Sequence, residues 1–152
     1  LRWLKISLEE TISSKIVETI ENLGRKVLAI IVFGSYIYNP RKAKDIDIIV
    51  VIDHLKNIND KIKLEVETAI KLRKTLRRNI DLHIFDTTSF NENLTVGTFL
   101  TGLVLGYKIL KDNVGVKEKI QEFIRELSRE EKCFYIKKRK WNLAAIAKTK
   151  SK

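Results

Sequence analysis

The chain has 152 residues, 44% hydrophobic and 32% charged, which suits one domain with a buried core and excludes a disordered polyelectrolyte. Thirty Lys and Arg against nineteen Asp and Glu leave a net charge of +11, consistent either with a polyanionic partner or with a charged surface that keeps a heat-tolerant protein soluble. Cys133 is the only cysteine, so no internal disulfide framework exists and a reducing compartment is expected.

Leu1-Arg2-Trp3 carries no signal-peptide pattern. The longest apolar stretch, Leu94 to Leu110, is interrupted by Gly97, Gly102, Gly106 and Lys108 and falls short of the roughly 20 apolar residues that a spanning helix needs. It reads as core, and a cytoplasmic location without membrane contact is expected.

Ser7-Leu8-Glu9-Glu10 has the form of a capping box and predicts a helix start, with Ile12, Ile16, Val17, Ile20 and Leu23 at helical spacing and Gly24 as the stop. Val27 to Phe33 reads as a first strand ending in Gly34-Ser35, followed by a turn at Asn39-Pro40 and a connector carrying Arg41, Lys42 and Lys44. Asp45 to Ile52 is nearly continuous Ile and Val after its two acids, the pattern of a central strand covered on both faces. A second helix is predicted from Asn57 or Asn59 to about Arg78, with Ile58, Ile62, Val66, Ile70 and Leu76 as its apolar stripe. The bases that end it, Lys71, Arg73, Lys74, Arg77 and Arg78, read as a solvated helix terminus.

Ile80 to Phe85 is a third strand. Its long helical connection to the second strand requires a parallel crossover, whereas the short loop between the first two strands suits antiparallel neighbours. Ser89-Phe90-Asn91-Glu92 predicts another helix start, running over Leu94 to Val104 and stopping at Gly106. Tyr107 to Leu110 is a short extended piece, and a last helix begins near Val114 or Val116 with Ile120, Phe123, Ile124 and Leu127 inward. Beyond Glu131 there is no acid, and lysines alternate with Phe134, Tyr135 and Trp141, either a nucleic-acid contact or the inner face of a docked helix.

The chemistry concentrates in Gly34-Ser35, nine residues, then Asp45-Ile46-Asp47. Alternate strand residues share a face, so Asp45 and Asp47 point the same way, and the parallel crossover brings Asp81 to the same sheet edge. Three carboxylates there repel unless a cation neutralises them, and Mg2+ or Mn2+ prefers such oxygens. Two ions about 3.5–4 Å apart can serve an in-line phosphoryl displacement, with Asp45 and Asp47 shared and Asp81 completing one site and taking a proton. Gly34 allows close approach of phosphate oxygens, Ser35 offers a hydroxyl, and Arg41, Lys42 and Lys44 are placed to neutralise a triphosphate or to stand as exposed loop charges. His83 shares the Asp81 face, and Asp53, His54 and Asp86 read as turn or capping residues.

This pattern resembles the nucleotidyltransferase fold of the DNA polymerase β superfamily, especially its minimal single-domain members in archaea and bacteria. The resemblance covers roughly Val27 to Leu110 and implies an α/β (α+β) architecture: a mixed sheet flanked by helices, with a basic C-terminal helical extension. It further implies two metals on Asp45, Asp47 and Asp81, and triphosphate contacts from Gly34 and Ser35, to which the residue pattern adds Arg41 and Lys44. Many minimal members carry Ala-Arg-Gly soon after the Gly-Ser and a Ser before the first Asp, whereas Ile37-Tyr38-Asn39 and Lys44 stand here. The organisation expected is a nucleotidyltransferase domain over 1–113 and a C-terminal helix with basic tail over 114–152. The expected activity moves a nucleoside monophosphate, AMP from ATP, to an acceptor hydroxyl on protein, RNA or a small molecule, releasing pyrophosphate. The alternative is a non-catalytic module, or an antitoxin that acts by binding a helical HEPN-type partner or RNA. The residues specify no oligomeric state.

Overall fold

Three Ile- and Val-rich runs form three of the four strands of one mixed sheet in the computed structural model, which describes residues 2–95, 99–129, 134–136, 139–141 and 146–148. In chain order the elements are α1 (Arg2–Glu21), β1 (Val27–Phe33), α2 (Ser35–Tyr38), β2 (Asp45–Ile52), α3 (Ile58–Leu76), β3 (Asn79–Asp86) and α4 (Thr87–Asn93). A 3₁₀ helix (Phe99–Leu105), β4 (Tyr107–Asp112) and α5 (Val116–Ser128) follow, and β5 (Phe134–Ile136) pairs with β6 (Arg139–Trp141) as a separate two-stranded hairpin. The sheet order is β3-β2-β1-β4. β1 is antiparallel to β2 and β4, while β2 and β3 are parallel, as the connection lengths require.

The period of two sorts β2 into two cores. Ile46, Ile48, Val50 and Ile52 pack with Ile16 and Ile20 of α1 and Leu64 and Leu72 of α3. Ile49 and Val51 face the other way, onto Phe90 of α4, Leu103 of the 3₁₀ helix, and Phe123 and Leu127 of α5. Burying one such aliphatic side chain contributes about 1.5–3 kcal/mol, so a strand buried on both faces is the main apolar anchor of the domain. Helices α3 and α5 enter through local side-chain hydrogen bonds. The Asn57 side chain accepts from the Asp60 amide at 2.9 Å, and Asp112 accepts from the amides of Val114, Val116 and Lys117.

Four expectations change. Helix α1 begins at Arg2 and runs through Ser7-Leu8-Glu9-Glu10, because nothing in Trp3-Leu4-Lys5-Ile6 breaks a helix and a capping box competes poorly inside one. Helix α4 begins at Thr87 instead of near Ser89. Asp86 is its cap, accepting from the Ser89 amide at 2.8 Å while the Ser89 hydroxyl accepts from the Asp86 amide, and the first of these holds the Asp86 carboxyl below its usual range. That helix ends at Asn93, whose side chain donates to the Ser89 carbonyl, and the apolar run resumes only as the 3₁₀ helix. The aromatics of the basic tail lie on β5 and β6, so they do not line a docked helix; Lys132, Cys133, Lys137 and Lys138 lie outside the described residues.

The fourth change concerns α3. Its buried residues are Leu64, Thr68, Ala69 and Leu72, while Ile58, Ile62, Val66 and Ile70, the stripe expected inside, are exposed. The rotation of the helix is set by polar contacts. β3 is an edge strand, and its outer backbone groups need partners. The Glu65 carboxylate accepts from the Ile84 amide at 2.9 Å, the Lys61 ammonium donates to the Ile84 carbonyl, and Arg73 donates to the Ile80 carbonyl at 3.2 Å. Arg25, beyond α1, clamps the start of α3 through Asp60 at 2.6 Å. With these contacts made, the four aliphatic residues fall outside the sheet contact.

Two outcomes test this account. Ile48→Ala removes a fully buried side chain from the central strand and is expected to cost about 2–5 kcal/mol in denaturant titration; a loss below about 1 kcal/mol would mean that this face is loosely packed. The Asp60 carboxyl is held down to about 2, first by the Arg25 hydrogen bond and then by the Lys56 amide. Its folded value lies below the unfolded one, so the stability it adds is present above about pH 4 and fades as the pH falls through about 2. The melting temperature of the wild type is expected to fall more steeply on acidification than that of Asp60→Asn. Equal slopes would show that the Arg25 contact adds nothing.

Candidate active site

The strand register assembles the site. Phe33 lies opposite Asp47 across β1 and β2, Asp47 lies opposite Asp81 across β2 and β3, and Tyr107 of β4 lies opposite Phe33. Directly opposed residues share a face, so Asp81, Asp47, Phe33 and Tyr107 form one row across the whole sheet. Neighbouring strands stand about 4.8 Å apart, which brings the two carboxyl-bearing positions of the row side by side. Asp45, two residues before Asp47, shares its face and lies opposite Asn79 at the strand ends. His83 is one step further along the same face of β3, and its Nε2 stands 3.3 Å from Asp81 Oδ1.

The carboxylates differ in surroundings. Asp47 is only 5% exposed, one of two buried polar side chains among the described residues, whereas the Asp81 side chain is 49% exposed. Asp45 is intermediate. Over Asp47 lies Gly34, with φ 81° and ψ −147°, a region that is almost restricted to glycine. A Cβ on Gly34 would sit 2.8 Å from Asp47 Oδ2, so the missing side chain lets the loop backbone rest directly on the carboxylate. The Gly34 amide donates to the Gly106 carbonyl at 2.8 Å, and its carbonyl accepts from Ile37 and Tyr38, which locks the loop to the start of α2.

The donor set is hard oxygen at one strand edge, and it fits a divalent cation of the magnesium type by chemistry and by the glycine cradle. Among the described residues no three carboxylate, imidazole or thiolate groups are gathered closely enough to enclose an ion. The arrangement is therefore one of register and edge, without a formed coordination shell.

Of the expected triphosphate contacts, Gly34 and Ser35 stand at the end of β1 and the start of α2, beside Asp47. Arg41 and Lys44 are exposed on the turn leading to β2. Arg78, set aside in the sequence as part of a solvated helix end, is placed differently. Arg77 caps α3 in the left-handed conformation, φ 54°, and the chain turns there so that Arg78 lies over the Tyr36 ring, 5.3 Å from its centroid. A guanidinium held over an aromatic ring by a cation–π contact can still donate its N–H groups. The signal in the sequence was its position three residues before Asp81, masked by four other bases nearby.

A cleft of about 370 Å³ lies between α1, α2, β1 and β4, lined by Ile16, Val32, Tyr36, Ile37, Tyr107 and Lys108 among others. Ile16, Val32, Tyr36 and Ile37 belong to the core under α1 and α3, and Tyr107 packs against the other core. No helix among the described residues is long and apolar enough to cross a membrane.

A family model described as Polymerase beta, Nucleotidyltransferase matches residues 14–105, from the middle of α1 to the end of the 3₁₀ helix. No curated protein matches the chain. Among solved structures, it is similar to a chain of a mutant MntA–HpeT toxin–antitoxin complex, at 23% identity and TM-score 0.50, covering 75% of this chain and 84% of that one. It is also similar to a chain of the complex of tri-AMPylated Shewanella oneidensis HEPN toxin with MNT antitoxin, at 24% identity and TM-score 0.49, covering 77% and 84%. A chain of a toxin–antitoxin with AMP-PNP matches at 24% identity and TM-score 0.49, covering 75% and 85%. The structural likenesses concern the fold. The matched segment holds Gly34-Ser35, Asp45, Asp47 and Asp81, and with it more than half of the chain: the protein belongs to the polymerase beta nucleotidyltransferase family.

Proposed function

We propose that the protein transfers AMP from ATP to an acceptor hydroxyl at the edge formed by Asp45, Asp47 and Asp81. The observation that carries this reading is the row in which buried Asp47 is flanked by Asp81 on one side and covered by Gly34 on the other. An acidic side chain inside a core strand is costly unless it is hydrogen-bonded or paired with positive charge. Two divalent cations, Mg2+ or Mn2+, held by the three carboxylates would neutralise the triphosphate and the charge that develops in phosphoryl transfer.

The chain's own groups divide the remaining work. Gly34 and Ser35 receive the phosphates against the backbone, and Arg78, steadied by Tyr36, offers its N–H edges to them, with Arg41 and Lys44 on the entry side. The acceptor oxygen attacks the α-phosphorus, the bond to the β-phosphate oxygen breaks, and pyrophosphate leaves. The hydroxyl proton passes to Asp81, the more exposed carboxylate, whose orientation His83 supports at 3.3 Å. The resemblance to antitoxins that act on helical HEPN-type partners, together with a fold like that of a chain in a toxin–antitoxin complex, supports a hydroxyl on a HEPN-type protein as the acceptor to test before RNA or a small molecule.

Incubation with labelled ATP, Mg2+ or Mn2+ and a HEPN-type partner is expected to label the partner. Asp81→Asn should lower the rate about 10²–10⁴-fold, and Asp47→Asn should abolish labelling. If wild type and Asp47→Asn are indistinguishable while the partner still co-purifies, the protein acts by binding alone. Gly34→Ala is expected to cost about 1–3 kcal/mol in stability and to lose nucleotide binding, because its methyl meets the Asp47 carboxylate. Arg78→Ala should raise the KM for ATP about tenfold with kcat little changed; an unchanged KM would remove Arg78 from the site.

A further inference from the structure

The turn that joins the 3₁₀ helix to β4 touches the Gly34-Ser35 loop and α2 at two points. The first extends a strand pairing. β1 and β4 are paired as far as Phe33 and Tyr107, and one step further the Gly34 amide donates to the Gly106 carbonyl at 2.8 Å, where β1 leaves the sheet. The second is a packing contact. Gly106 has φ 148°, and a Cβ added to it would stand 2.8 Å from Ile37 Cγ2 and 3.3 Å from Ile37 Cβ. Carbon atoms pack best at about 3.5–4.0 Å, so Ile37 of α2 rests on bare backbone that has no room for a methyl group.

If a side chain were placed at Gly106, one of the two sides would have to yield, and burial decides which. Leu103, Val104 and Leu105 are at most 2% exposed, in the core that holds Ile49 and Phe123, and the Gly106 amide donates to the Leu103 carbonyl at 3.2 Å. That side is fixed. Ile37 is half-buried and Tyr38 is exposed, so α2 is the freer partner. Ile37 cannot swing its methyl clear, because its Cβ is itself too close and a β-branched residue in a helix keeps essentially one χ1 rotamer. The amides of Ile37 and Tyr38 donate to the Gly34 carbonyl, so a shift of α2 passes to Gly34 and to its contact with the Asp47 carboxylate. We infer that Gly106 is a positioning residue for nucleotide binding: from a turn that bears no reacting group, it sets where the Gly34-Ser35 loop stands over Asp47. The inference rests on the proposed nucleotidyl transfer, in which that loop receives the phosphates of ATP.

Two measurements on the full chain test this: the affinity for ATP with Mg2+, and backbone amide hydrogen exchange without nucleotide. Gly106→Ala is expected to weaken ATP binding about tenfold or more. It should also speed exchange at the Gly34 amide while amides of the central strand, such as Val50, keep their protection. Adding Ile37→Ala makes room for the new methyl and should recover part of both losses. Gly24→Ala is the control, since Gly24 has φ 73° and nothing within 4 Å of its missing Cβ. It is expected to lower the melting temperature and leave ATP affinity and Gly34 exchange as they were. Should Gly106→Ala not fold, Ile37→Ala alone, which removes the contact from the other side, is expected to speed Gly34 exchange and weaken ATP binding. The inference is overturned if Gly34 exchange is unchanged, if Val50 exchange rises as much as that of Gly34, or if ATP affinity stays at the wild-type value. A double variant no better than Gly106→Ala would overturn the role of Ile37. A wild type that binds no ATP, with Gly34 exchange responding as expected, would overturn the proposed reaction and with it the part of Gly106 in nucleotide binding.

Discussion

The carboxylate of Asp47 sits on a strand that is aliphatic apart from it and Asp45 at its first position, and the surrounding structure accommodates it. β2 is buried on both faces, so any acid in it must lie near a strand end where loops or ligands can supply polar contact. Gly34 permits that contact by omitting a side chain where the loop crosses the carboxylate. The loop conformation is in turn held by Gly106, which lies between the 3₁₀ helix and β4. The candidate site thus depends on three strands and the turn after a fourth segment, and no single hairpin could reproduce it.

The same sheet explains the two-sided character of α3. A parallel crossover helix must cover the sheet with apolar residues, and here it must also close an edge strand that has no further neighbour. Leu64 and Leu72 meet the first need, while Lys61, Glu65 and Arg73 meet the second. Lys61 further lies 4.3 Å over the Phe85 ring, so its stem and its charge are both used. A helix that satisfies both needs has no freedom left to hide a third row of residues. The exposed ridge is the consequence.

Family membership and site chemistry rest on different observations. The matched family segment and the mixed four-stranded sheet establish the nucleotidyltransferase fold. The roles proposed for Asp45, Asp47, Asp81 and Arg78 rest on register, burial, the close approach of Gly34 and the contact of Arg78 with Tyr36.

Much of this was legible in residue order. Strand boundaries followed from β-branched runs, the parallel and antiparallel pairings from connection lengths, and the position of Asp81 near Asp45 and Asp47 from those pairings. These are local or topological properties, set by steric preference and by how far a short loop can reach. Other features were decided only by the packed chain. Periodicity finds an apolar row on α3 but cannot choose which of two adjacent rows turns inward; long-range hydrogen bonds to an edge strand made that choice. Asp86 displaced Ser89 as the helix cap because the end of β3 delivered a carboxylate there first. Arg78 was one base among five until a left-handed turn at Arg77 set it against Tyr36, an aromatic ring far earlier in the chain. Sequence alone determined the four strands of the sheet, the helices α3 and α5 and how they connect, since those depend on neighbours along the chain; the tertiary structure decided which faces and charges meet, because that depends on partners the order of residues keeps far apart.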